Sequence, residues 1–227
     1  MSGGRTRSRD RYGRHVGQPL ANDFFWLAHD HRTGRPRLRP RALAVGLAAA
    51  LLGEVVVAGA IELRGGRFMV RDEVPPPEML AQRIYAEVLA DARRSPRTWV
   101  EALSPTAESW VADRLHRDGQ LRVAWRRRLS SRFAGGRGAR RPRDPVAAAA
   151  VSRRLMSELD DARPVSVSDT LLIGLAHATD LFLALPEGLS TQRDRRVDQL
   201  VAGLPEDLRQ LVALCEAGVG GHVGVWR

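Results

Sequence analysis

The chain has 227 residues, of which 44% are apolar, and its 36 basic and 26 acidic side chains give a formal net charge of +10. This apolar content can form the core of one large domain or two small ones, and it excludes a wholly disordered chain or a collagen-like fibre. The single cysteine cannot form an internal disulfide, so a disulfide scaffold is excluded. The absence of such a scaffold is typical of an intracellular protein.

Every basic side chain is an arginine, because the sequence contains no lysine. GC-rich genomes over-use arginine, so codon usage accounts for part of this bias. The positive field is physically real whatever its origin, and it favours polyanionic partners such as nucleic acid or an anionic membrane surface. The forked guanidinium also allows bidentate recognition of phosphate groups.

The first seventeen residues contain five arginines, one aspartate and no apolar run. This composition is a poor secretory signal and is typical of a disordered segment. We therefore expect a disordered basic arm over residues 1–18, followed by a single domain over residues 19–227.

A second arginine cluster, between Arg32 and Arg41, immediately precedes the longest apolar stretch, Ala42 to Ile61. That stretch has the length of a membrane span, but Glu54 near its middle would cost about 2 to 3 kcal/mol in a bilayer. We therefore predict a buried helix over residues 42–57, ended by Gly59.

The next segments predict a hairpin and two helices. Ile61 and Leu63 face Phe68 and Val70 across a glycine turn, which is a hairpin pattern. Apolar residues at helical spacing predict an amphipathic helix over residues 78–94. Ser104 and Pro105 then have the pattern of an N-cap and first helical residue, which predicts a helix from there to Gly119.

A third cluster, residues 122–143, contains nine arginines and no acidic residue, and it follows the short strand pattern of Leu121 and Val123. Its glycines and Pro142 predict an exposed basic hairpin or loop. The order of helix, strand and basic turn also occurs sixty residues earlier, and it resembles the layout of a winged helix. Nucleic-acid binding is therefore an alternative function, although residues 42–57 offer almost no polar side chain to read bases.

Three further helices are predicted in the remaining chain. Asp144 and Pro145 begin one that continues through Leu159, and a mostly buried one begins near Ser168 or Asp169 and continues to Leu185. The last covers residues 206–217, with Cys215 on its core face rather than as a nucleophile. The predicted fold class is mostly α, a helical bundle with short β-hairpins.

No pattern in the sequence indicates catalysis. His29 and His31 are close together but have no third ligand, so we expect no metal site. His177 is expected to be a hydrogen-bonded core histidine rather than a general base. Nucleotide-binding glycine loops and the GxSxG elbow are absent. We therefore expect a protein that is not an enzyme and that needs no cofactor.

Four segments together resemble the Golgi phosphoprotein 3 family, over roughly residues 19–202. They are residues 25–34 (FWLAHDHRTG), residues 46–63 with Gly46, Leu47, Glu54 and Gly59, the helical segments 99–103 and 115–121, and residues 175–180 (LAHATD). The last string is the family's most recognisable one. The resemblance implies a mostly helical fold with a central bundle and a projecting β-hairpin.

The resemblance also implies a peripheral membrane protein. Eukaryotic members of the family bind phosphatidylinositol 4-phosphate in a basic pocket, insert a hairpin into the membrane surface and hold the cytosolic tails of glycosyltransferases. In ungapped register the pocket positions fall on Arg39, Ala48 and near Pro105 and Glu108, and none of the four family residues is retained. Arginine replaces most of the apolar hairpin tip, which favours binding by surface charge.

We therefore expect a cytoplasmic protein, peripheral to the cytoplasmic face of a membrane, that binds anionic or phosphoinositide lipids and acts as an adaptor for cytosolic tails of membrane enzymes. Each engaged arginine would contribute about 1 kcal/mol. Nucleic acid remains an alternative partner, and a homo-oligomer remains an alternative state of assembly. The residues expected to contact headgroups are Arg37, Arg39, Arg41, Arg126, Arg127, Arg128 and Arg132, with Leu129 and Phe133 inserted as apolar wedges.

Overall fold

A computed structural model describes residues 18–71, 75–123, 140–186 and 188–220. The predicted basic arm lies outside these residues up to position 17. The described elements are helices α1 (Leu20–Ala28), α2 (Pro40–Val57), α3 (Met79–Ala90), α4 (Pro96–Arg117), α5 (Pro145–Asp160), α6 (Val167–Ala178), α7 (Thr191–Ala202) and α8 (Glu206–Gly220), and strands β1 (Ile61–Arg64), β2 (Arg67–Val70), β3 (Leu121–Val123) and β4 (Arg140–Pro142).

The predicted fold class, mostly α with short β-hairpins, is confirmed. Strands β1 and β2 form the predicted hairpin, with Ile61 opposite Val70 and Leu63 opposite Phe68. Strands β3 and β4 form a second antiparallel pair, so the third arginine cluster begins and ends in a hairpin. Cys215 is buried in the core as predicted, and burial raises the pKa of its thiol to about 12.

Helix α2 is the centre of the bundle. By length and composition alone it could cross a membrane, but 72% of it is buried within the protein, as predicted for a core helix. It packs against α1, α3, α4, α6 and α8. Glycine allows the closest of these contacts, because a Cβ on Gly46 would lie 2.3 Å from the ring of Phe24, and one on Gly53 would lie 2.8 Å from Leu171.

A buried arginine joins the first four helices. Arg114 of α4 is only 1% exposed, and its two terminal nitrogens donate to both carboxylate oxygens of Glu54 at 2.8 and 2.9 Å. The same guanidinium donates to Glu78, before α3, at 3.1 Å and to the Asn22 side chain of α1 at 2.8 Å. Glu54 also accepts the backbone N–H of Ala21 at 2.7 Å. Glu54, whose charge is unfavourable in a membrane span, is thus paired with the Arg114 cation inside the protein.

A second arginine fixes α5 against the bundle. Arg154 donates to Asp23 of α1 at 2.7 Å and to Asp169 of α6 at 2.9 Å. One turn further along α5, burial and the charge of Asp169 raise the pKa of Glu158 to about 7. Two residues separate the end of β4 from the start of α5, and one of them, Asp144, caps the first turn of the helix. The position of β4 therefore depends on how α5 is held.

The predicted helix start at Ser104 and Pro105 is wrong. Helix α4 is continuous from Pro96, and the Ser95 hydroxyl caps it by accepting the Thr98 N–H at 3.2 Å. The Ser104 hydroxyl instead donates to the carbonyl of Val100 at 2.6 Å. Pro105 is tolerated inside the helix because it lies on an exposed face, where water can satisfy the carbonyl that it leaves without a donor.

The helix predicted to continue to Leu185 ends at Ala178. The Thr179 hydroxyl donates to the carbonyl of Leu175 at 2.8 Å, and Asp180 adopts a left-handed conformation with φ +58°. A short 3-10 helix follows at Leu181–Ala184. Helix α7 was not predicted, because its sequence is mostly polar and, of its residues, Val197 alone is classed as buried.

We expect Arg114→Ala to lower the free energy of unfolding by about 3 to 5 kcal/mol, since it leaves Glu54 buried without its cation. Urea denaturation would measure this loss. Arg97→Ala is the matched control on the same helix, because Arg97 pairs with Glu101 at 3.0 Å while both side chains are more than half exposed. It should cost less than about 1 kcal/mol. Equal losses for the two variants would show that the buried network does not hold the helices.

Candidate anion-binding surface

Residues 29–39 form a tight turn between α1 and α2, here called the arginine turn. His29 bridges to Pro36, and the backbone N–H of Asp30 donates to the carbonyl of Arg35 at 2.8 Å. The Asp30 carboxylate accepts the backbone N–H of Thr33 at 2.7 Å and that of Arg32 at 3.0 Å. Those hydrogen bonds, the one from Thr33 first, lower the pKa of Asp30 and keep it ionised.

The arginine turn lies directly against β4. Gly34 has φ +69°, and a Cβ at this position would lie 2.4 Å from the carbonyl oxygen of Arg140. The two backbones can approach so closely only because residue 34 has no side chain. The second arginine cluster and the end of the third, 106 residues apart in the chain, are therefore adjacent in the fold.

The arginines of the turn fall into two groups. Arg32, Arg35 and Arg39 are exposed. Arg41, in the first turn of α2, is also exposed and donates through Nε to the carbonyl of Gly218 at 2.8 Å. Arg37 is mostly buried and pairs with Asp30 at 3.2 Å. Of the three arginines predicted here for headgroup contact, Arg39 and Arg41 thus face solvent, whereas Arg37 already has a carboxylate partner.

Glu108 of α4 anchors β4 from the inside. Its carboxylate pairs with Arg140 and lies 4.0 Å from Nε2 of the buried His29. The other ring nitrogen of His29 donates to the carbonyl of Phe25 at 2.8 Å. No sequence pattern indicates this contact, because Arg140 is one of nine arginines in its cluster. His29 and Glu108 therefore support the surface from below.

The other predicted site residues have different outcomes. Ala48 is completely buried in α2, and Pro105 is exposed on α4. His177 was predicted to be a core histidine, and this is wrong: its side chain is 41% exposed, with Nε2 3.1 Å from Asp194. No group of three His, Cys, Asp or Glu residues that could hold a metal occurs in the described ranges.

The remaining residues predicted to contact the membrane lie outside the described residues. They are Arg126, Arg127, Arg128, Leu129, Arg132 and Phe133.

The winged-helix alternative requires a helix that can enter a DNA groove. Both hairpins that suggested it do form, at β1–β2 and β3–β4. The helix that precedes the first hairpin is α2, which other helices cover. A helix buried in the core cannot place side chains against base edges. The structure thus gives the first half of the repeat no recognition helix.

The sequence matches the model of a known protein family. A family model described as Golgi phosphoprotein 3 (GPP34) matches residues 20–214. The matched range begins with α1 and includes the arginine turn, both hairpins and the first part of α8. No curated protein matches the sequence.

We expect Gly34→Ala to displace β4, because the added methyl group would collide with the Arg140 carbonyl. Gly65→Ala is the matched control: Gly65 also has a left-handed φ, +59°, but nothing lies within 4 Å of its Cβ position. The control should cost about 1 to 2 kcal/mol from backbone strain alone. Gly34→Ala should cost clearly more and speed amide hydrogen exchange at residues 140–143. If both variants cost the same, the turn and β4 are not in contact.

Proposed function

Because the chain belongs to the Golgi phosphoprotein 3 family, we propose that it is a peripheral membrane protein that binds anionic, phosphoinositide-type lipid headgroups through its arginine clusters. The family is non-catalytic, and we extend this property to the present chain. The observation that carries the proposal is the contact between Gly34 and Arg140, because it joins two arginine clusters into one surface.

The charge on this surface is sufficient for binding without a shaped pocket. The exposed arginines of the arginine turn, α2 and the end of the second hairpin are Arg32, Arg35, Arg39, Arg41, Arg141 and Arg143. At about 1 kcal/mol each near an anionic bilayer, six arginines would supply about 6 kcal/mol. That free energy corresponds to a partition constant on the order of 10⁴ M⁻¹, similar to the effect of one myristoyl chain. Such binding is reversible and weakens with salt.

The predicted contact residues keep their roles in this proposal. Arg39 and Arg41, with Arg126, Arg127, Arg128 and Arg132, contact phosphate groups, and Leu129 and Phe133 insert between headgroups. Arg37 joins them only when a phosphate competes with Asp30, so its contribution is smaller. The surface faces the cytoplasmic side of a membrane, where anionic lipids give the negative potential that arginine requires.

An adaptor role follows from the family rather than from a site described above. We propose that the protein, once at the membrane, holds cytosolic tails of membrane enzymes.

Vesicle co-sedimentation at low and high salt tests the lipid proposal. Neutral vesicles, vesicles with phosphatidylserine and vesicles with a phosphoinositide would be compared, each with and without competing duplex DNA. We expect binding to anionic vesicles that weakens at high salt. Replacing Arg126, Arg127, Arg128 and Arg132 by glutamine should strongly reduce sedimentation with anionic vesicles, because four charges, at about 1 kcal/mol each, leave the contact surface.

The matched control replaces four exposed arginines elsewhere, Arg93, Arg97, Arg163 and Arg195, so that the net charge falls equally. We expect this control to sediment nearly as well as the wild type. Unchanged sedimentation of the first variant would remove those four residues from the site. Binding to DNA, with no binding to any vesicle, would contradict the membrane proposal and favour a nucleic-acid partner.

A further inference from the structure

Helix α5 carries a partly buried carboxylate that accepts no hydrogen bond from any described residue at one of its oxygens. This residue is Glu158, one turn after Arg154, and the oxygen is Oε2, which is shielded from solvent. An ionised carboxylate is unfavourable in such a place, because burial removes its hydration and no donor replaces the lost water. The surroundings of Glu158 therefore favour the neutral, protonated form.

Carboxylates outnumber cations around Glu158. Asp169 of α6 repels its negative charge, and Arg154 attracts it. The attraction is shared, because one terminal nitrogen of Arg154 already donates to Asp23, the one charged residue of α1, at 2.7 Å and to Asp169 at 2.9 Å. Ionisation of Glu158 would place three negative charges around a single guanidinium group.

The other cations that face α5 have partners of their own. On α7, Arg193 donates to both carboxylate oxygens of Asp160 at 2.7 and 2.8 Å, and Arg196 donates to a backbone carbonyl at 3.1 Å. On β4, Arg140 pairs with a carboxylate of α4. None of these contacts is available to stabilise an ionised Glu158, so the side chain can best remain in place by keeping its proton.

The attachment of α5 determines where β4 lies. Helix α5 is held mainly by α1, α7 and β4, and its link to α1 includes the ion pair of Arg154 with Asp23, one turn from Glu158. Only two residues connect the other end of the helix to β4, the strand that lies against the arginine turn. Because a helix of 16 residues transmits a displacement along its length, repulsion at Glu158 loosens this strand as well.

We propose that protonation of Glu158 is a switch that tightens the attachment of α5, and with it β4, to the bundle under acidic conditions. Ionisation of the same group loosens both elements. As a regulator of headgroup binding, the switch rests on the proposed membrane function. An anionic surface at about −30 mV enriches protons roughly threefold, so the arginine surface is held most firmly where it meets the membrane.

The pKa of Glu158 sets the direction and the pH range of the effect. Burial first, and the charge of Asp169 second, raise this pKa from the ordinary 4.5 to about 7. The folded protein therefore binds the proton more tightly than the unfolded chain. The resulting stabilisation is fully present below pH 4.5 and is lost as the pH rises through 7. Opening that exposes Glu158 to water should become about tenfold more frequent between pH 6 and pH 8.

The first test follows amide hydrogen exchange of the full chain in α5 and at residues 140–143, at pH 6 and pH 8, corrected for the pH dependence of intrinsic exchange. We expect protection in the wild type to fall about tenfold. Glu158→Gln, which is nearly isosteric and neutral at both pH values, should change by less than twofold. The matched control is Asp161→Asn, because this side chain follows α5 and is 50% exposed. It should behave like the wild type.

Histidines titrate in the same pH range, but all three proteins contain them, so the difference between wild type and Glu158→Gln reports on Glu158 alone. NMR of the glutamate side-chain carboxyl carbons should place the titration of Glu158 near pH 7. A titration near the ordinary 4.5, or an equal loss of protection in Glu158→Gln and the wild type, would overturn the switch.

The second test separates the switch from the membrane proposal. Binding to phosphatidylglycerol vesicles would be measured at pH 6 and pH 8, because this phosphodiester headgroup keeps its charge over that range. We expect the ratio of the two affinities to be at least twofold larger for the wild type and Asp161→Asn than for Glu158→Gln. Equal ratios would overturn the regulation of binding by Glu158. If exchange changes as expected but no vesicle binds at either pH, the membrane proposal fails and the switch within the fold stands.

Discussion

The buried guanidinium of Arg114 is the interaction on which the rest of the structure depends. It joins Glu54, Glu78 and Asn22, so that four helices share one ion network. Helix α1 continues into the arginine turn, and α4 carries Glu108, which holds Arg140. Because Glu108 and Arg114 lie on the same helix, the network that packs α4 against α1 also sets the distance between the turn and β4. The stability of the core and the shape of the arginine surface thus have a common origin.

Two sets of arginines in this protein differ in burial and in their carboxylate partners. Arg37, Arg114, Arg140 and Arg154 are each partly or fully buried beside an acid and hold elements together. Arginines such as Arg122 and Arg141 are exposed and have no acidic partner among the described residues. Codon usage can explain why arginine is frequent, but it does not explain why these arginines have no acidic partner. The headgroup binding proposed above depends on exposed arginines of this second kind.

The sequence predicted those parts of the fold in which local signals are sufficient. A long apolar stretch containing a single glutamate identified α2, and Asp144 with Pro145 identified the start of α5. The start of α4 was wrong because serine followed by proline occurs twice, at residues 95–96 and 104–105, and only tertiary packing selects the first. The contact of Gly34 with Arg140 joins residues 106 positions apart, so no local pattern indicates it. The family resemblance, in contrast, was visible in short strings and is confirmed by the family match.

Hydrogen exchange of the chain bound to anionic vesicles, compared with the free chain, tests the membrane account most directly. The account predicts slower exchange at the arginine turn, residues 29–39, and at residues 140–143. It predicts no change at the first hairpin, residues 61–70, which follows the opposite end of α2. Protection of the first hairpin instead of the arginine turn would contradict the account, and so would bound protein without protection at either place.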